Sequence, residues 1–129
     1  VAGRQFSWGR STSADGWLAN ISCFDTLANA RGSYDRNAAT NICLDGAGNE
    51  VDGQAVVLPV QLGDESHARF CPGYGPDSQN PYYELSAYAR VGNGTIYFLR
   101  NSTQELSPDT TTVGEFARFA EAFLIKAAE

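Results

Sequence analysis

The sequence predicts an α+β domain with an N-terminal β-hairpin, an antiparallel β-sheet and a C-terminal amphipathic α-helix. Three observations carry that expectation. Short runs of strand-forming residues are separated by turn chemistry such as Asp15-Gly16 and Gly92-Asn93-Gly94. Between Gln54 and Leu62, apolar residues recur at a period of two. Toward the end of the chain they recur at helical spacing instead.

The length of 129 residues suits one domain spanning 1–129. Hydrophobic residues make up 43%, enough for a buried core, and charged residues only 19%, too few for a disordered chain. No apolar run approaches the roughly 20 residues of a membrane helix, so no membrane partner is expected. Val1-Ala2-Gly3-Arg4 lacks the pattern of a signal peptide. A net charge of -6 argues against a protein that coats nucleic acid by a general field.

Along the chain, Gln5-Phe6-Ser7-Trp8 reads as a strand. Ser11 to Gly16 reads as a turn, and Trp17 to Cys23 as the returning strand. Residues 25–40 carry no pattern that favours one element. Asn41-Ile42-Cys43-Leu44 reads as a strand before the glycine-rich turn Asp45 to Glu50. In 54–62, Val56, Leu58, Val60 and Leu62 share one face of a strand. Pro59 cannot donate to a ladder, so that strand belongs at an edge or is bulged. Gly63 to Pro81 reads as one long connection, of the kind that carries function or contacts. Tyr82 to Val91 and Thr95 to Arg100 follow as strands, joined by a turn or a glycine bulge at Gly92-Asn93-Gly94. Thr112 and Glu115 form a capping box, with Thr112 as the N-cap. Phe116, Phe119, Ala120, Phe123, Leu124 and Ala127 make the apolar stripe of the helix, which must dock on the sheet or on a partner.

Candidate chemistry is sparse. His67 is the only histidine and Cys71 lies four residues on. A Cys–His nucleophile pair needs hydrogen-bond reach and a third orienting group, and a loop histidine beside a structural cysteine is the plainer reading. No catalytic residue, metal or cofactor is therefore expected. Asp45, Asn49 and Asp52 lack EF-hand spacing and read as a hairpin turn. The three cysteines, Cys23, Cys43 and Cys71, have no CxxC spacing. Their odd count leaves three arrangements open: three buried thiols, one internal disulfide plus a free thiol, or a bridge between subunits. Asn20, Asn93 and Asn101 each begin a glycosylation sequon.

The order of these elements resembles that in the coat proteins of single-stranded RNA bacteriophages. The residues that carry the resemblance are Ala55 to Leu62, the Gly63–Pro81 connection with Cys71, and Thr95 to Gln104 leading into the final helix. The resemblance implies a structural subunit that dimerises through a continuous sheet and closes into a shell, in a virion, around single-stranded RNA. It implies that Phe116, Phe119, Phe123 and Leu124 meet a second subunit as well as the sheet, and that Cys71 lies at an inter-dimer contact. In the late strands only Arg90 and Arg100 supply positive charge. With Tyr88 and Tyr97 beside them, they form the expected RNA-binding patch, good for about two to four phosphate contacts. The rival expectation is a secreted or periplasmic binding module held by one disulfide.

Overall fold

The computed structural model describes residues 2–11, 15–39, 42–44, 49–72 and 83–128. The elements, in chain order, are β1 (Ala2–Ser11), β2 (Asp15–Phe24), α1 (Leu27–Ala39), β3 (Ile42–Leu44), β4 (Glu50–Asp52), β5 (Gln54–Val56), β6 (Glu65–Cys71), β7 (Tyr83–Val91), β8 (Gly94–Ser102) and α2 (Thr110–Ala128). The main sheet has six strands in the order β1-β2-β8-β7-β6-β5, and β3 and β4 form a separate ribbon. Every pairing is antiparallel. The fold is thus α+β, as the sequence predicts, with the N-terminal hairpin and the C-terminal helix in their expected places.

Strand alternation divides the sheet into two faces. On one, Ala19, Phe98, Ala87 and Ala68 lie side by side across β2, β8, β7 and β6. Phe98 is fully buried, and its neighbours in that row are all alanine. The small side chains let α2 come down onto the ring. Phe119 and Phe123 meet Phe98 edge-on, with centroids 6.0 and 5.7 Å away, a favoured aromatic geometry. Phe116 and Ala120 are fully buried beneath α2, and Leu62, Leu85 and Ile96 complete the same cluster. The helical stripe therefore docks on the chain's own sheet.

α2 starts earlier than the sequence reading places it. Asp109, not Thr112, is the N-cap: its Oδ1 accepts the Thr112 N–H at 2.8 Å and its carbonyl accepts the Val113 N–H at 2.9 Å. Asp is a strong N-cap residue, preferred over Thr. Thr112 then sits in the first turn, with its own N–H satisfied.

Two further corrections concern residues 54–81. The strand expected over 54–62 ends at Val56. Beyond it the chain leaves the sheet, and Val57 is 92% exposed. Pro59 cannot donate to a ladder. Leu62 returns to the core, its N–H satisfied by Ser66 Oγ at 3.2 Å. The edge position does hold, since β5 is the last strand of the sheet on that side. The expected long connection from Gly63 contains β6. Ala68 and Phe70 point into the core at a period of two, but Ser66, the third residue of that series, is polar. Gly63 makes the turn into β6 at φ 65, and a Cβ there would lie 2.6 Å from the Arg90 carbonyl oxygen. Gly92 turns β7 into β8 at φ 57, which suits the first loop position of a type II′ hairpin.

The unreadable stretch 25–40 contains α1. Thr26 caps it, with Oγ1 accepting the Asn29 N–H at 3.1 Å and the carbonyl accepting the Ala30 N–H at 3.2 Å. Its buried residues are Ala30 and Tyr34. The expected turn at Asp45 to Glu50 lies mostly outside the described residues, as do the tip of the N-terminal hairpin and Tyr82.

Replacing Phe98 with Ala is expected to lower unfolding stability by about 3–5 kcal/mol, because α2 cannot collapse into the space left. Urea unfolding followed by far-UV circular dichroism measures it. A loss below 1 kcal/mol, on the order of a surface change, would show that α2 is not held by this ring.

Candidate functional site

The face opposite the core is polar and is partly roofed by α1. Asn20, Tyr97, Tyr88 and His67 form one row across β2, β8, β7 and β6. A parallel row runs Ser22, Thr95, Arg90 and Glu65. Tyr34 of α1 lies over the first row, with its ring 5.1 Å from His67 and 6.0 Å from Tyr88. Tyr88 donates to Thr95 Oγ1 at 3.0 Å, so Ser33 donates to the Tyr88 oxygen at 3.1 Å. His67 Nε2 lies 2.9 Å from Asn37 Oδ1. That carbonyl oxygen can only accept, which places the imidazole hydrogen on Nε2. Burial, then the charge of Arg69, holds the His67 pKa below its ordinary value. Tyr97 donates to Glu84 Oε1 at 3.2 Å. Burial first and the Glu84 carboxylate second push its pKa far above the usual tyrosine range.

The four residues expected to form an RNA patch are not brought together on one open surface. Tyr88, Tyr97 and Arg90 lie on the polar face, whereas Arg100 lies on the core face. Arg90 is buried, and its Nε donates to Glu65 Oε2 at 2.6 Å. Its Nη1 donates to Asp64 Oδ2 at 3.3 Å and to the Gly92 carbonyl at 2.9 Å. Asp64 also accepts the Gly92 N–H at 2.7 Å, so the arginine clasps the β5–β6 connection to the β7–β8 turn. The Arg100 guanidinium sits over Trp17, 5.1 Å from the ring centre, a cation–π contact.

The expected dimer residues are used within the chain. Phe116 is fully buried, and Phe119, Phe123 and Leu124 pack against the same cluster. Cys71 is bonded to Cys43, with Cα atoms 5.6 Å apart, and both are buried. Cys71, expected at an inter-dimer contact, is thus held in an internal bridge. The bridge fixes β3 to the end of β6. Cys23 is the free, exposed cysteine. His67 and Cys71 lie on one strand about 13 Å apart along its length, and the Cys71 sulfur is already bonded, so no thiol–imidazole pair forms. Among the described residues, no group of three or more His, Cys, Asp and Glu side chains could hold a metal. Among them, too, no helix is long and apolar enough to cross a membrane.

Sequence reasoning missed the roof formed by Ser33, Tyr34 and Asn37, because α1 shows no amphipathic pattern. It also missed the groove beside β6. Residues 57–61 stand away from that strand and leave a cavity of about 450 Å³ lined by Val56, Leu58, Val60, Ser66 and His67, among others. A second, of about 320 Å³, separates the same segment from Pro108 to Thr110 and Val113. The departure of the chain from the ladder at Val57, near Pro59, is the signal that could have located both.

Arg90→Ala leaves Glu65 and Asp64 without their shared cation. It is expected to cost about 2 kcal/mol in urea unfolding, with Arg90→Lys recovering part of it. Equal stability of parent and Arg90→Ala protein would mean that the clasp is not structural. Comparison with models of known protein families, with curated proteins and with solved structures yields no match.

Proposed function

We propose that this chain is a secreted or periplasmic binding module, made rigid by one disulfide and carrying its recognition surface in the groove between residues 57–61 and β6. The observation that carries this reading is the buried Cys43–Cys71 bridge. Such bridges form and persist in oxidising compartments. The groove supports the same reading. Its volume of about 450 Å³ falls within the range of ligand sites. Its wall is mostly apolar, with Ser66 and Gln61 among its few polar residues.

Thiol counting tests it. Protein purified without reductant and denatured is expected to show one reactive thiol per chain, Cys23, and three after reduction. Cys71→Ser is expected to lower stability by about 3–4 kcal/mol, the chain-entropy value for a loop of this length. Three reactive thiols in protein exported to the periplasm and never reduced would sink the reading.

A second reading, a self-assembling coat subunit enclosing RNA in a virion, has its own support. Among the described residues, β1 and β5 end the sheet without a further partner strand, and an open edge is a template for pairing with another copy. Ile125, near the end of α2, is 60% exposed. Native mass separates the two readings: a megadalton particle selects the shell, and a monomer of 13.9 kDa selects the binding module. Phe119 packs on Trp17, with centroids 4.9 Å apart, so an aspartate there would disturb the fold itself. Ile125→Asp is the cleaner probe. In the shell reading it blocks assembly and leaves the monomer's circular dichroism unchanged. RNA would be sought in the particles, and its salt-dependent affinity compared in an Arg90→Ala/Arg100→Ala double variant.

A further inference from the structure

We propose that His67 is an acid-sensitive latch holding α1 on the polar face of the sheet, and that a second proton on its imidazole releases α1 while the sheet and α2 stay folded. α1 is lightly held. Its buried residues are Ala30 and Tyr34 alone, so little apolar area anchors it. The anchor is instead a local cluster of Tyr34 against His67 and Tyr88, Ser33 on Tyr88, and Asn37 on His67. His67 stands at its centre.

The neutral ring suits this place and the protonated ring does not. With Nε2–H donating to Asn37, Nδ1 is a bare lone pair, buried and without a partner among the described residues. A proton there creates a buried donor with no acceptor beside it, which costs the group's desolvation. The surrounding charges give no relief. On β6, Arg69 repels the new charge, and Glu65 is engaged by Arg90 at 2.6 Å. On β7, Arg90 is a further cation, Tyr88 is occupied by Ser33 and Thr95, and Glu84 accepts the Tyr97 hydroxyl of β8. α1 brings Tyr34 and Asn37 to the ring, and its charged Arg31, Asp35 and Arg36 are exposed. The adjoining segment 55–61 holds no ionisable side chain.

The depressed pKa of His67 agrees in sign. The open state, with an ordinary imidazole, takes the proton first. The latch is therefore intact above about pH 6.5 and weakens as the pH falls below it, down to the lowered closed-state value.

Hydrogen exchange of α1 and β8 amides, corrected for intrinsic rates and compared at about pH 7.5 and about pH 5, tests the latch. The parent is expected to lose about tenfold or more of its protection in α1, with β8 unchanged. His67→Gln, which still donates to Asn37 and does not titrate, is expected to show no such loss. Unchanged α1 protection in the parent, equal loss in His67→Gln, or loss in β8 together with α1 would each overturn the proposal. Should His67→Gln fail to fold, NMR titration of the single histidine in the parent decides. A pKa well below about 6.5 supports the latch, and one at or above it refutes the latch.

Discussion

The Phe98 ring at the centre of β8 sets how close α2 lies to the sheet, and much of the packing follows from that distance. Its neighbours across the sheet are Ala19 and Ala87, with Ala68 one strand further. Larger side chains there would lift the helix and break the edge-on contacts with Phe119 and Phe123. The same placement dictates the opposite face. With Phe98 pointing inward, Tyr97 points outward, and the register brings Asn20, Tyr88 and His67 beside it. A slip of one residue would exchange the two faces entirely. The polar row is thus specified by the apolar one, and the only histidine is carried to its place under α1 by core packing on the far side.

Much of this architecture was legible in the sequence where one periodicity ruled. The stripe from Phe116 to Leu124 announced α2, and Gly92-Asn93-Gly94 left a turn or a bulge open where the hairpin between β7 and β8 forms. Where two demands competed, the pattern was obscured. In β6, His67 and Arg69 answer to the polar face, and Ser66 interrupts the apolar series that Ala68 and Phe70 continue. In 56–62, alternation over seven residues mimicked a strand, but only Val56 belongs to one and Leu62 is buried by a returning turn. α1 was unreadable because a helix resting on a polar face needs no stripe; Thr26 was its only local signal. The cysteine pairing was not decidable from spacing, since Cys43 and Cys71 meet only after β3 is brought to the end of β6.

Two arginines of this acidic chain, Arg90 and Arg100, are committed to structure. Arg90 spans Glu65, Asp64 and the Gly92 carbonyl, and so ties the start of β6 to the β7–β8 turn. The absence of a Cβ at Gly63 is what lets that connection lie against the Arg90 backbone, where the Asp64 N–H reaches the Arg90 carbonyl at 2.8 Å. Counting arginines therefore overstates what is available to a phosphate backbone. Their local geometry, and not their number, governs any affinity for polyanions.

The strand order has a kinetic consequence. β2 pairs with β8, so the second strand of the chain must find its penultimate element, with residues as distant as Asp15 and Ser102 in register. Contacts of such separation are slow to form. The β7–β8 hairpin, by contrast, closes locally through a two-residue turn. During synthesis from the N-terminus, the β1–β2 hairpin emerges long before its partner. Until β8 arrives, Trp17 and Ile21 have nothing to pack on. β2, among the first strands made, is among the last to complete its pairing, and for that interval its apolar face is exposed to any chaperone or neighbouring chain.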